Sequence, residues 1–320
     1  FKVKKAKRLA CKAAIMLEGL TGTGKSGLAL ALARGLTDDW DEVGCVDTEN
    51  LSAQLFVGLD SIMGDKFGEF LYGDLDPETG FRPTNYIAWR EAMIKEGAKA
   101  VIFDSISHAW QYKGGILDMV AEAKTKNAHY AKDKYAVWGD EEVIKEKNEL
   151  LQLIRDRRVH MITTVRVKEK MEYVDGEKGK ELRSLGEQQI QQADLKYEPD
   201  LVIHMLRPGY VDPITNVITY PYGKIIKTRY AILVKDQEYE FTPELIKQIR
   251  QYLEEGTSPE ELLEQQRQDY ILATKNMLDS KPELKAIWDV MKKDAGLEKT
   301  KLTDIPLDSL KQLYIKLTTD

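Results

Sequence analysis

The stretch Gly19-Leu20-Thr21-Gly22-Thr23-Gly24-Lys25-Ser26 constrains this chain more than any other. It reads G-x-x-x-x-G-K-[ST], the phosphate-binding P-loop pattern. Ala13 to Leu17 before it is a short apolar run that fits a buried strand. Gly27 to Arg34 after it is rich in helix formers and is stopped by Gly35. Strand, glycine loop and helix thus follow one another in the order the chemistry needs. Glycines let successive backbone N–H groups converge on one anion, and the positive end of the helix dipole points at the same place. The candidate nucleotide-binding residues are Gly19, Leu20, Thr21, Gly22, Thr23, Gly24, Lys25, Ser26 and Gly27. Lys25 is placed to reach the β- and γ-phosphates and the Ser26 hydroxyl to bind Mg²⁺. The bland alternative, a Gly/Thr-rich turn matching by chance, is disfavoured because both flanks fit.

At 320 residues the chain is long enough for one large α/β domain and a smaller appendage. A net charge of −6 argues against a basic coat for nucleic acid, so any DNA contact is local. No apolar run approaches a membrane span. Cys11 and Cys45 alone give neither a disulfide framework nor a metal-binding spacing, so a reducing, cytoplasmic compartment is expected. Residues 1–12 carry six basic residues and no acid; they read as a lead-in to the first strand, with a phosphate-backbone contact as the alternative.

Val43 to Val46 reads as a second buried strand ending in Asp47-Thr48-Glu49-Asn50. Carboxylates at such a strand tip lie where open α/β sheets bind ligands. Asp47 and Asn50 also suit the N-cap of a helical 51–59 segment, and the two roles are compatible if different residues take them. A short strand is expected at 70–72 and an amphipathic helix at 84–96. The apolar strand from Ala98 ends in Asp104, the Walker-B arrangement in which an aspartate holds the Mg²⁺ shell. Helices are expected at 116–126 and 140–156, and strands at 159–166 and 200–205. The aromatics Tyr130, Tyr135 and Trp138 read as packing in preference to base stacking. Residues 168–184 form a polar hairpin around Asp175-Gly176, with five basic and five acidic side chains in balance. A terminal hairpin pairs 217–220 with 224–227. Helical segments near 243–255, 258–279, 281–294 and 304–318 follow, separated by Gly256, Pro259, Pro282 and Pro306.

This order of motifs resembles a RecA-fold ATPase, and more closely the phage-encoded AAA-family ATPases associated with single-strand-annealing recombination. The resemblance covers residues 1–242. It rests on Glu18 to Ser26, Val46 to Glu49, Phe103 to His108, Gly114 to Leu117, Val137 to Gly139, Thr164 to Lys168 and Leu195 to Glu198. It implies an α/β RecA-like P-loop NTPase domain (1–242), a mostly parallel central sheet flanked by helices, followed by a small α-helical region (243–320). It further implies that Glu49 activates the attacking water and that Asp104 is the Walker-B aspartate. Lys227 and Arg229 match the cationic pair that reaches a neighbouring subunit's nucleotide; their alternative is an ordinary solvated strand end. Thr163-Thr164 stand where RecA carries a glutamine that senses the γ-phosphate, so that role differs here or passes to Arg166. His108 either senses nucleotide or caps the loop that follows it. The balanced hairpin stands where RecA places a DNA-binding loop.

The expected activity is Mg²⁺-dependent ATP binding and hydrolysis in phage DNA recombination, strand annealing or replication. The expected partners are further copies of the chain with nucleotide at the subunit interface, single-stranded DNA and a single-strand-binding protein, and no membrane. A second reading is an ATP-gated oligomerisation or partner-docking module, comparable to a helicase loader, in which hydrolysis only resets the state. A small-molecule phosphotransferase ranks last, because no lid with clustered arginines is evident.

Overall fold

The computed structural model describes residues 5–319 apart from 76–77, 79, 128, 131–134 and 177–178. Lys12–Leu253 forms one compact unit, and Phe1–Cys11 groups with Glu254–Asp320 in another.

The larger unit is the expected α/β architecture. Its sheet has the order β11-β10-β7-β1-β5-β4-β2-β3. These strands are β1 (Ala14–Gly19), β2 (Val43–Asp47), β3 (Leu71–Asp74), β4 (Ala100–Asp104), β5 (His160–Gly176), β7 (Leu201–Arg207), β10 (Tyr222–Thr228) and β11 (Glu238–Glu240). From β7 to β3 the neighbours pair in parallel, while β10 is antiparallel to both β7 and β11. Because side chains alternate along a strand, β1 sends Ile15 and Leu17 to one face and Ala14 and Met16 to the other.

Each face is covered by helices. Helix α1 (Lys25–Gly35) supplies Leu28, Leu30 and Leu32 to the Ile15/Leu17 side. Helix α2 (Pro83–Lys95) contributes Tyr86 and Met93, and a further helix (Glu141–Arg155) contributes Leu150, Leu153 and Ile154, to the opposite side. Two shorter helices, α3 (His108–Gln111) and α4 (Ile116–Lys126), lie between them in sequence, so Glu141–Arg155 is α5. A buried strand covered on both faces reads as a continuous apolar run, which is why these strands were visible in the sequence.

Four expectations change in detail. The boundary near 242 moves to 253–254, because α6 (Pro243–Glu254) buries Ile246, Ile249 and Leu253 in the core beneath α1. Residues 51–59 contain only a short 3₁₀ turn at Ala53–Phe56. The terminal hairpin is absent as drawn: β9 (Ile218–Thr219) pairs with β8 (Tyr210–Val211), and β10 pairs with β7 and β11 instead. Pro221, which has no N–H to continue a ladder, stands between β9 and β10. Strand β5 also continues past Arg166 and pairs with β6 (Gly179–Gln189) as a ribbon. Asp175 and Gly176, around which the hairpin was expected to turn, pair with Lys180 and Gly179 in this ribbon, and 177–178 lie outside the described residues.

Of the three aromatics expected to pack, Trp138 stacks on Trp110 at 6.1 Å and Tyr130 joins the same cluster, whereas Tyr135 is exposed, contrary to that expectation. In the second unit, Leu9 bridges to Thr257, and Ser258 and Glu261 form a reciprocal capping box. That box starts α7 (Pro259–Ser280), which is followed by α8 (Leu284–Asp294) and α9 (Leu307–Thr319) around Trp288, Leu310 and Leu313. No helix among the described residues is long and apolar enough to cross a membrane.

One buried histidine ties the sheet's lower edge together. His160 Nδ1 accepts the Ala13 N–H at 3.0 Å, a role open only to a ring nitrogen without its proton. Burial, helped by Lys12 and Arg250, pushes the imidazole from 6.5 down to about 3. An unfolded chain therefore takes up this proton first, and the stability His160 contributes is present above pH 6.5 and lost as pH falls toward about 3. The loss approaches about 1.4 kcal/mol per pH unit inside that window. Urea denaturation between pH 7 and 4.5 is expected to show a shallower decline for His160→Asn than for wild type; parallel declines would contradict this assignment.

Candidate nucleotide site

The C-terminal ends of the parallel strands bring Lys25, Ser26, Glu49 and Asp104 together. The β1–β5 register sets Gly19 beside Arg166, and the β2–β4 register sets Asp47 beside Asp104. A cleft of about 240 Å³ results, lined by Thr21, Gly22, Gly24, Lys25, Ser26, Gly27, Glu49, Phe56, Asp104 and Arg166.

The loop itself depends on backbone that only glycine adopts without strain. Gly22 and Gly24 have φ of +83° and +85°, and a Cβ on Gly24 would lie 2.6 Å from Pro208 Cα. Gly24 caps α1, so the first N–H groups of the helix face the cleft. Lys25 Nζ donates to the carbonyls of Gly19 (3.0 Å) and Leu20 (2.8 Å), spanning the loop. Burial lowers its pKa, while the carboxylates of Asp104 and Glu49 oppose the shift.

The two carboxylates at the tip of β2 divide their work. Asp47 is buried and holds the loop that follows: its oxygens accept the N–H groups of Glu49 at 2.5 Å and Ala53 at 3.0 Å, while Ser52, the N-cap of the short 3₁₀ turn, makes no side-chain cap bond. Asn50 and Leu51 then turn the chain through left-handed φ values of +58° and +65°. Glu49 is left facing the cleft, where Arg166 Nε donates to Oε1 at 2.9 Å and a second guanidinium nitrogen lies 2.8 Å from the same oxygen. Arg166 is fixed in turn by its N–H to Ser107 Oγ and by Tyr112.

Asp104 is 2% exposed, and burial raises its pKa while the hydroxyls of Ser26 and Thr164 pull it back. Thr164 Oγ1 donates to Oδ1. The buried Oδ2 has no hydrogen-bond partner among the described residues. A carboxylate oxygen left in this way beside a P-loop hydroxyl fits the hard-oxygen shell of Mg²⁺.

No family model matches the chain. No curated protein matches it either. Among solved structures it is similar to a KaiC-like protein from hyperthermophilic archaea, Pyrococcus horikoshii. That likeness has a TM-score of 0.38 and 15% identity, covering 72% of this chain and 86% of the other.

Other sequence candidates fall outside the cleft. His108 is buried between Phe81 and Tyr112, its Nδ1 2.5 Å from Thr48 Oγ1, and burial lowers it to about 4. It braces the strand-tip loops and does not line the cleft. Lys227 and Arg229 lie at the opposite edge of the sheet, because antiparallel β10 ends where parallel β7 begins. Lys227 Nζ donates to the carbonyls of Lys196, Tyr197 and Pro199, and Arg229 pairs with Asp200 at 3.1 Å. Neither reaches the phosphate loop of its own chain.

Phe56 escaped the sequence reading. It stands between the cleft and a neighbouring apolar cavity of about 390 Å³, lined also by Leu59, Phe67, Tyr210 and Pro221. Nothing local marks it, since Phe56 and Tyr210 are brought together only by the fold. Gly24→Ala is expected to perturb the loop while the core stays intact. Nucleotide affinity should fall at least about ten-fold, with a thermal midpoint within a few degrees of wild type. Unchanged affinity would show that the positive φ at Gly24 is dispensable.

Proposed function

We propose that the chain is a RecA-like P-loop ATPase that binds and hydrolyses Mg·ATP. The observation carrying this reading is the convergence of Lys25, Ser26, Glu49 and Asp104 on one cleft, at the ligand-binding edge of a parallel sheet. The backbone N–H groups of the loop and the Lys25 ammonium hold the β- and γ-phosphates. Ser26 and Asp104 hold Mg²⁺, which supplies charge neutralisation across the phosphate oxygens when bound. Glu49 orients water for attack on the γ-phosphorus. The adjoining apolar cavity, which shares Gly24, Gly27 and Phe56 with the cleft, takes the nucleoside.

Lys25→Ala is expected to abolish nucleotide binding. Glu49→Gln is expected to retain binding, with turnover lowered by about 10²-fold or more. Isothermal titration and phosphate release distinguish the two, and wild-type turnover in Glu49→Gln would remove Glu49 from the chemistry.

Lys227 and Arg229 act in this proposal across a subunit boundary, which suits their place at the far edge of the sheet from their own loop. A cation delivered from a neighbour makes turnover depend on assembly. The rate per subunit is then expected to rise with wild-type concentration and to stay low and flat for Arg229→Ala. A flat wild-type rate would argue against a shared site. The Arg166–Glu49 ion pair supports the second reading, an ATP-gated docking module in which hydrolysis only resets the state, because it engages the carboxylate that would activate water. A role in phage DNA recombination, annealing or replication, with single-stranded DNA and its binding protein as partners, rests on the motif resemblance alone. Stimulation of ATP hydrolysis by single-stranded DNA across a salt series tests it.

A further inference from the structure

A second charged cluster lies beside the phosphate loop and outside the cleft. Glu18 closes the apolar strand β1 immediately before Gly19 and is nearly buried. Its Oε1 is 3.2 Å from His204 Nδ1, on the adjacent strand β7. The other ring nitrogen, His204 Nε2, is 3.4 Å from Glu187 Oε2, on the return strand β6 of the ribbon. Gln189, two residues further along β6, donates its amide to Glu18 Oε2. Lys224 of β10 is His204's neighbour on the other side and, among the described residues, the cation that acts on it.

Both imidazole nitrogens therefore face carboxylate oxygens. An ionised carboxylate only accepts, and a neutral imidazole has a single N–H. One ring can satisfy both partners only as imidazolium. Glu18 and Glu187 favour that charged form, Glu18 the more strongly, against burial and Lys224. When the proton leaves, one carboxylate must face a bare lone pair. The Glu18 side chain is 11% exposed and Glu187 is 32% exposed, so Glu187 is the partner that water can take over.

We propose that His204 is a proton-controlled clamp that ties the return strand of the β5–β6 ribbon to the strand carrying the phosphate loop. Protonated, it holds Glu187 and Glu18 together across β7. Deprotonated, it keeps Glu18 and releases the ribbon root at Glu187. The outgoing strand of the same ribbon leaves from Arg166, which holds Glu49. Both roots thus end on groups flanking the cleft, and the clamp controls one of them. Its charged-state stabilisation is complete below pH 6.5 and is lost as pH rises through the raised value of His204.

Two measurements on the full chain without nucleotide test the clamp independently of any ATPase activity. Imidazole ¹⁵N chemical shifts are expected to show His204 titrating above 6.5 in wild type and lower in Glu187→Gln, an exposed change that leaves the fold in place. Hydrogen-exchange protection of the 186–190 backbone, corrected for intrinsic rates, is expected to fall about two- to five-fold between pH 6 and 9 in wild type. The same comparison should be flat in His204→Gln. An imidazole titration unmoved by Glu187→Gln, or the same pH-dependent protection in His204→Gln, would overturn the proposal.

Discussion

The site depends on the geometry at the end of β1, where a buried central strand must turn at once into a helix without closing over the space between them. Gly24 in the left-handed region makes that turn and leaves the α1 N–H groups facing the cleft. The strand cannot shift to relieve any error, because Ile15 and Leu17 are committed to one face and Ala14 and Met16 to the other. A one-residue slip would exchange the two sets. The apolar pattern of five residues thus fixes where the phosphate loop begins, and the register with β5 and β7 fixes what stands beside it.

Charge is managed by giving each acid a separate partner. Asp47 spends its oxygens on backbone N–H groups, Glu49 on Arg166, Asp104 on Thr164, and Glu18 on His204 and Gln189. Four carboxylates are thereby held close to one loop, each with its own partner, although Glu49 and Asp47 still act on Asp104. The exception is Asp104 Oδ2, which burial leaves unpartnered and which raises the tendency of this acid to take a proton or a cation. Arg166 and Lys25 supply the opposite charge to Glu49 and Asp104 in the cleft.

Much of this was legible because the relevant signals are local. The glycine loop between strand and helix, the apolar strands and Asp104 at a strand end depend on short-range pattern, and these segments lie where that pattern put them. Position 164, expected to differ from a glutamine sensor, holds Asp104 through its hydroxyl. What the sequence could not show depends on long-range pairing. Which of Asp47 and Asn50 would hold the segment after β2 depends on the fold: Asp47 accepts the N–H groups of Glu49 and Ala53, while Asn50 turns the chain in the left-handed region. Helix 243–254 looked like the start of the tail, since its polar face resembles those of the later helices, and only packing of Ile246 and Ile249 under α1 assigns it to the sheet. The Glu18–His204–Glu187 cluster joins β1 to two strands far from it in sequence. Its one visible trace was an acid closing an apolar run at Glu18.

The central claim is that the loop from Gly19 to Ser26 grips a triphosphate while Glu49 and Asp104 face its γ-phosphate. A crystal structure with Mg²⁺ and a non-hydrolysable ATP analogue tests it most directly. The account predicts phosphates over the N–H groups of Gly22 to Ser26, the metal on Ser26 and within one water of Asp104, and the base beside Phe56. Phosphates bound elsewhere, or Glu49 and Asp104 turned away from the ligand, would contradict it.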